Sequence, residues 1–177
     1  MLTLALAVAL AAPALDVTAA PAVVPLTAPD GVKGLKASFY VAGAPDAVLE
    51  TVWDVRRFRA IFPDIQALDV LAARGDTEVD ARFSVDAVLA KVTYVLRRDL
   101  DRARRTVTWT SIGGDLKSVR GSWTVLGTED PAVSQVIYTS FVDVGYIVPT
   151  GMVRDIALGK VAEMAGRVRA ACAGPRG

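Results

Sequence analysis

Pro149-Thr150-Gly151-Met152-Val153-Arg154-Asp155-Ile156-Ala157-Leu158-Gly159-Lys160-Val161-Ala162-Glu163-Met164 opens the last element of the chain and sets the architecture of the rest. Pro149 stops the strand that precedes it, and Thr150 suits a helix N-cap. Met152, Val153, Ile156, Ala157, Val161, Met164, Ala165, Val168 and Cys172 then recur at helical spacing. Arg154, Asp155, Lys160, Glu163, Arg167 and Arg169 take the other side. A helix of roughly 22 residues is about 33 Å long, enough to cross a small domain. Its apolar stripe mixes small and flexible residues (Ala157, Gly159, Met152, Met164) with bulky ones. Such a stripe adapts to irregular shapes better than a Leu/Ile seam does. The expectation is a helix laid across a curved antiparallel sheet, closing an apolar cavity.

The preceding chain supplies that sheet. Lys36 to Val41 fits a first strand, broken at Gly43-Ala44-Pro45. Pro45 suits the first turn of a helix, with Asp46 and Glu50 near its positive end. Ala47, Val48, Thr51, Val52 and Val55 continue at helical spacing. A second short helix over 55–61 turns Phe58, Ile61 and Phe62 inward, and Phe62-Pro63-Asp64 ends it. The period then switches to alternation over 65–73, 77–87, 89–100, 106–112, 116–126 and 133–144, with turn residues between. Consecutive strands with tight turns predict an antiparallel meander, hence an α+β fold of about seven strands, two short helices after the first strand and a long C-terminal helix.

At 177 residues the chain is long enough for one domain with a sizeable core. Twenty Lys and Arg against 19 Asp and Glu leave a net charge of +1, which gives no pull toward nucleic acid. A basic cluster at Arg97, Arg98, Arg102, Arg104 and Arg105 reads as a solvated hairpin end, with a membrane or RNA contact as the rival. There is no histidine, which removes the usual general base and the commonest transition-metal ligand. The single cysteine, Cys172, forms no internal disulfide and lies on the apolar side of the last helix, as a structural thiol. No phosphate loop, metal set or cofactor motif occurs.

Residues 1–20 read as a signal peptide. An apolar run from Leu2 to Ala12 is too short to span a bilayer of ~30 Å, and Ala12-Pro13-Ala14 and Thr18-Ala19-Ala20 resemble cleavage sites, although no basic residue precedes the run. Export to the periplasm or medium is expected, with an uncleaved, membrane-tethering N-terminus as the rival. Residues 21–31, with Pro21, Pro25 and Pro29, read as a linker. The folded domain is then 32–172 and the tail 173–177.

Three stretches resemble the START-like superfamily, also called SRPBCC or the birch-pollen-allergen fold. They are Ala44 to Val55 followed by Phe58 and Phe62-Pro63, then Gly121-Ser122-Trp123, then Pro149 to Met164. The resemblance runs from about Lys36 to Ala171. Within the superfamily it is most similar to the polyketide cyclase/dehydrase and lipid transport group, which includes coenzyme Q-binding proteins. Arg56 departs from the Asp that often stands two residues before the first aromatic. The resemblance implies a helix-grip fold and a hydrophobic ligand, such as a lipid, isoprenoid or quinone, sterol or polyketide, held between sheet and helix. Transient contact with a membrane is a further expectation for such a chain.

Phe58, Phe62, Phe83, Tyr94, Trp109, Trp123, Tyr138, Met152, Ile156 and Met164 are the candidate cavity lining. A filled core of the same residues is the rival. Polyketide cyclases of this fold close rings by aldol chemistry, which needs a proton acceptor or an oxyanion site. Without histidine the candidates are Tyr94, Tyr138, Lys160, Asp143 and Arg120, and no pair of them has a recognisable catalytic spacing. Binding is therefore favoured over catalysis. A third alternative is a protein-interaction module of the kind that blocks ribosome association, which export would exclude.

Overall fold

The computed structural model describes residues 15–87, 90–145 and 150–174; side chains are described over the same residues apart from 87, 90 and 150–158. Most of the proposed leader, residues 1–14, lies outside the described residues. Eight strands form a single antiparallel sheet: β1 (Ala22–Thr27), β2 (Lys33–Ala42), β3 (Ile65–Arg74), β4 (Glu78–Ala87), β5 (Ala90–Asp101), β6 (Thr106–Gly114), β7 (Ser118–Gly127) and β8 (Val133–Asp143). Their order in space is β1-β2-β8-β7-β6-β5-β4-β3. Between β2 and β3 come α1 (Pro45–Trp53), a 3-10 turn (Val55–Arg57) and α2 (Phe58–Ile61); α3 (Thr150–Cys172) ends the fold. The expected α+β helix-grip architecture is what the chain adopts, with one strand more than expected.

The extra strand lies in the stretch expected to be a linker. Ala22 to Thr27 pairs with Lys33 to Ser38 of β2, placing Pro25 opposite Leu35. Proline has no N–H for a ladder and is confined to sheet edges, which is where β1 stands. Pro29 and Gly31 belong to the hairpin turn: the Gly31 amide donates to Ala28 (2.8 Å), and Gly31 has φ +83°. Arg169 of α3 reaches further back, donating to the carbonyls of Tyr40 (2.9 Å) and Ala19 (2.8 Å). The folded unit therefore begins well before Val32.

Alternation along each strand divides the sheet into two faces. Phe83 is opposite Tyr94, Trp109 opposite Gly121, and Trp123 opposite both Val107 and Tyr138. These residues share the inner, concave side with the core of Ala37, Phe39, Ala81, Leu96, Val119 and Val136. Register shifts on β3 (Ile65/Ala67 and Val70/Ala72) and on β6, where Ile112 is the extra residue opposite Val95/Leu96 of β5, mark bulges. Bulges bend the strand that carries them and increase the local twist. The C-terminal half of α3 packs Val161, Met164, Ala165 and Val168 into the same core.

The outer face is held by ion pairs. Asp80 is buried there beneath Arg97 (2.9 Å) and Arg74 (3.1 Å). Hydrogen bonding from Arg97 outweighs the cost of burial and, with Arg74, brings the Asp80 carboxyl down to about 2. A depressed carboxyl contributes stability above its unfolded value, near 4, and loses it as pH falls toward 2. Thermal unfolding of the native protein and of Asp80→Asn should therefore differ most at pH 5 and above, and converge between pH 4 and 2. A gap that is constant across that range would remove Asp80 from the account.

Candidate functional site: an aromatic concave face

The sequence-derived lining residues fall into two aromatic groups. In the first, Phe62 packs on Phe58 (centroids 5.3 Å apart), Phe58 on Phe83 (6.2 Å), and Phe83 stacks on Tyr94 (5.5 Å, planes 19° apart). In the second, Trp109, Trp123 and Tyr138 form a triangle with separations of 6.3, 5.8 and 4.5 Å. Met164 is buried on α3 within the core. The side chains of Met152 and Ile156 lie outside the described residues.

Local sequence explains why the second group assembles. A Cβ at Gly121 would run into the Trp109 ring, 2.8 Å from its Cε2, and into the Thr139 carbonyl. Gly121 is thus the flat spot on β7 over which the indole lies, and Trp123, two residues on, presents its own ring to the same face. This is the physical content of the Gly-x-Trp motif. The first group depends on α2, which turns Phe58 and Phe62 toward β4.

Phe58 also covers the residue that sequence reasoning misplaced. Arg98, assigned to a solvated basic cluster, is 0% exposed. Its two guanidinium nitrogens donate to the carbonyls of Val52 and Trp53, both at 2.7 Å. The guanidinium carbon stands 4.3 Å from the Phe58 ring centre and 5.3 Å from that of Trp53. Burial pulls Arg98 down to about 9, with Asp54 opposing, so it still carries its charge at neutral pH. The last carbonyls of a helix have no intrahelical partner, and α1 has no basic residue in its last turn. Arg98 supplies that cap from β5. The signal was present in the sequence: Arg98 continues the inward phase of Tyr94 and Leu96.

The rest of the basic cluster is exposed or half-buried and neutralised. Arg97 pairs with Asp80, Arg102 with Glu50 and Asp76 (both 3.2 Å), Arg104 with Asp101 (3.2 Å) and Arg105 with Asp46 (2.6 Å). Three of the five candidates for chemistry are likewise engaged. Lys160 pairs with Asp64. Asp143 accepts from the Gly145 amide (2.9 Å) and pairs with Lys117 (3.0 Å). Arg120 grips both carboxylate oxygens of Asp30 at 2.7 Å.

Tyr94 and Tyr138 differ from those three. Burial pushes both phenols above their ordinary value, Tyr138 adding to the effect on Tyr94 and Ser140 partly offsetting it at Tyr138. Yet both side chains are only partly buried and keep some open surface. A cleft of about 260 Å³ lies between α1 and the end of α3, where Thr51 and Arg57 meet Cys172. Cys172 is half-buried and burial pushes its thiol up, which suits a structural thiol.

Residues 41–167 match the family model described as polyketide cyclase / dehydrase and lipid transport. The chain belongs to that family. Solved structures agree on the fold. A STAR-related lipid transfer protein from Xanthomonas axonopodis is 15% identical, with a TM-score of 0.71 over 85% of this chain and 92% of that one. A START superfamily protein from Mycobacterium smegmatis is 16% identical, TM-score 0.66, over 77% and 94%. The Zhui aromatase/cyclase from Streptomyces sp. R1128 is 22% identical, TM-score 0.64, over 80% and 91%. No curated protein matches the sequence. At these identities the structures establish the START-like fold, and the family supports hydrophobic-ligand binding in general terms.

Proposed function

We propose that the protein binds, and transports or stores, a small hydrophobic molecule on the concave face beneath α3, of the lipid, isoprenoid or quinone, sterol or polyketide kind. The observation that carries this reading is that Tyr94 and Tyr138 keep open surface on a concave face whose other rings are buried. Phe83, Trp109 and Trp123, themselves buried, back the two phenols with an apolar wall. Such a wall with few polar groups suits an oily guest held by contact area.

A ring-closing activity finds less support in the same residues. Lys160, Asp143 and Arg120 are committed to ion pairs, and the two phenols are pushed away from ionising at neutral pH, so neither serves as a ready base.

Native mass spectrometry of freshly purified protein, followed by organic extraction, tests the reading. The expected result is an apolar molecule of lipid size, or its uptake from a panel of lipids and quinones. Protein that is empty and stays empty against the whole panel would refute it.

A further inference from the structure

Two bonds compete as the point at which a leader would be removed, one after Ala14 and one after Ala20, because Ala12-Pro13-Ala14 and Thr18-Ala19-Ala20 both close on alanine. The fold treats the residues around them differently. From Asp16 onward the chain is tied down. The Asp16 carboxylate accepts from the Thr18 amide (2.8 Å) and hydroxyl (2.6 Å), which closes a local turn. The Ala19 carbonyl accepts from Arg169 near the end of α3 (2.8 Å). The same guanidinium donates to the Tyr40 carbonyl of β2 (2.9 Å) and stands 5.6 Å from the Phe39 ring centre. Three residues after Ala19 the chain enters β1. The strip 16–21 thus links the end of α3, the helix that lies over the concave face, to the edge of the sheet. Leu15, by contrast, is exposed and makes no hydrogen bond among the described residues.

We propose that the leader is removed between Ala14 and Leu15, by a membrane-bound peptidase that requires small residues at the first and third positions before the bond, and that the strip 15–21 stays with the mature protein as a latch on α3. Ala14 and Ala12 occupy those two positions. The cut leaves every contact of the strip in place. Hydrolysis adds one water across the Ala14–Leu15 amide: the oxygen goes to the Ala14 carbonyl carbon, which leaves as a carboxylate, and both hydrogens end on the Leu15 nitrogen as an ammonium. A cut after Ala20 is the poorer choice on two counts. It would sever the latch, because the Asp16–Thr18 turn and the Ala19 carbonyl would depart with the leader and Arg169 would lose one of its two acceptors. It would also have to open the bond before Pro21, a tertiary amide without an N–H, whose ring restricts the conformations open to Ala20.

The test expresses the full chain in a bacterium with an intact secretory pathway and reads the product by intact-mass spectrometry and N-terminal sequencing. Native protein should begin at Leu15. Ala14→Leu should lose the cut and keep residues 1–14, whereas Ala20→Leu should be processed as the native chain is. Neither position belongs to the packed core, so folding does not confuse the comparison. A second measurement reads the latch: a broad-specificity aminopeptidase should stop short of Ala19 in the native mature protein and run on to Pro21 in Arg169→Gln. Any native end other than Leu15, Pro21 and the intact chain included, would overturn the cleavage site. So would processing of Ala14→Leu at the native position, or loss of the cut in Ala20→Leu. Trimming of the native protein through Ala19, or trimming unchanged by Arg169→Gln, would overturn the latch.

Discussion

Replacing Arg98 by methionine should lower the unfolding free energy by about 3 kcal/mol or more, although it exchanges a charge for an apolar chain of similar reach. Leaving a buried hydrogen-bonding group without its partner typically costs about 1–3 kcal/mol, and two such groups are left behind. Here the groups left behind are the Val52 and Trp53 carbonyls, each bonded to Arg98 at 2.7 Å. The methionine fills space but donates nothing, so both carbonyls lose their partner. Arg98→Lys should recover only part of the loss, because an ammonium on a flexible stem cannot reproduce a planar two-pronged contact. Urea unfolding of the three proteins at pH 7 measures this. A methionine variant as stable as the native protein would mean that the cap contributes nothing net.

Trp123→Ala should be comparably damaging, by about 3–5 kcal/mol, the usual range for deleting a large buried aromatic. Trp123 is 1% exposed and touches both other members of its triangle. Removing it leaves Trp109 and Tyr138 without their shared neighbour. Domains are stable by only about 5–15 kcal/mol in total, so the variant stands near the edge of folding. Tyr94→Ala makes the informative contrast. If Tyr94 borders a hollow, its truncation enlarges a space that already exists and costs clearly less than Trp123→Ala in the same urea series. Equal losses at the two positions would indicate that Tyr94 is packed as tightly as Trp123.

The fold was largely legible because its inner and outer faces differ so sharply in polarity. Val79, Ala81 and Phe83 alternate with Asp80 and Arg82 along β4, and the structure puts the first set in the core. What misled was residue type read without position. Three prolines in 21–31 suggested a linker, whereas Pro25 only requires that its strand be on an edge. Five arginines suggested a solvated patch, although Arg98 stands in the inward phase of its strand. The aromatic candidates were individually visible. Their grouping was not, since the approach of Phe58 to Phe83 depends on how α2 docks, and the triangle depends on a glycine whose importance shows only once Trp109 lies over it.

The hairpin of β1 bears on how the molecule behaves toward copies of itself. A chain begun at Val32 would leave the ladder groups of β2 that now meet β1 facing water, a template on which another chain can add. With β1 in place the outermost strand is six residues long and carries Pro25, which offers no N–H to a newcomer. The short proline-bearing segment thus acts as a selvedge, keeping this border of the sheet from growing by recruitment of further molecules.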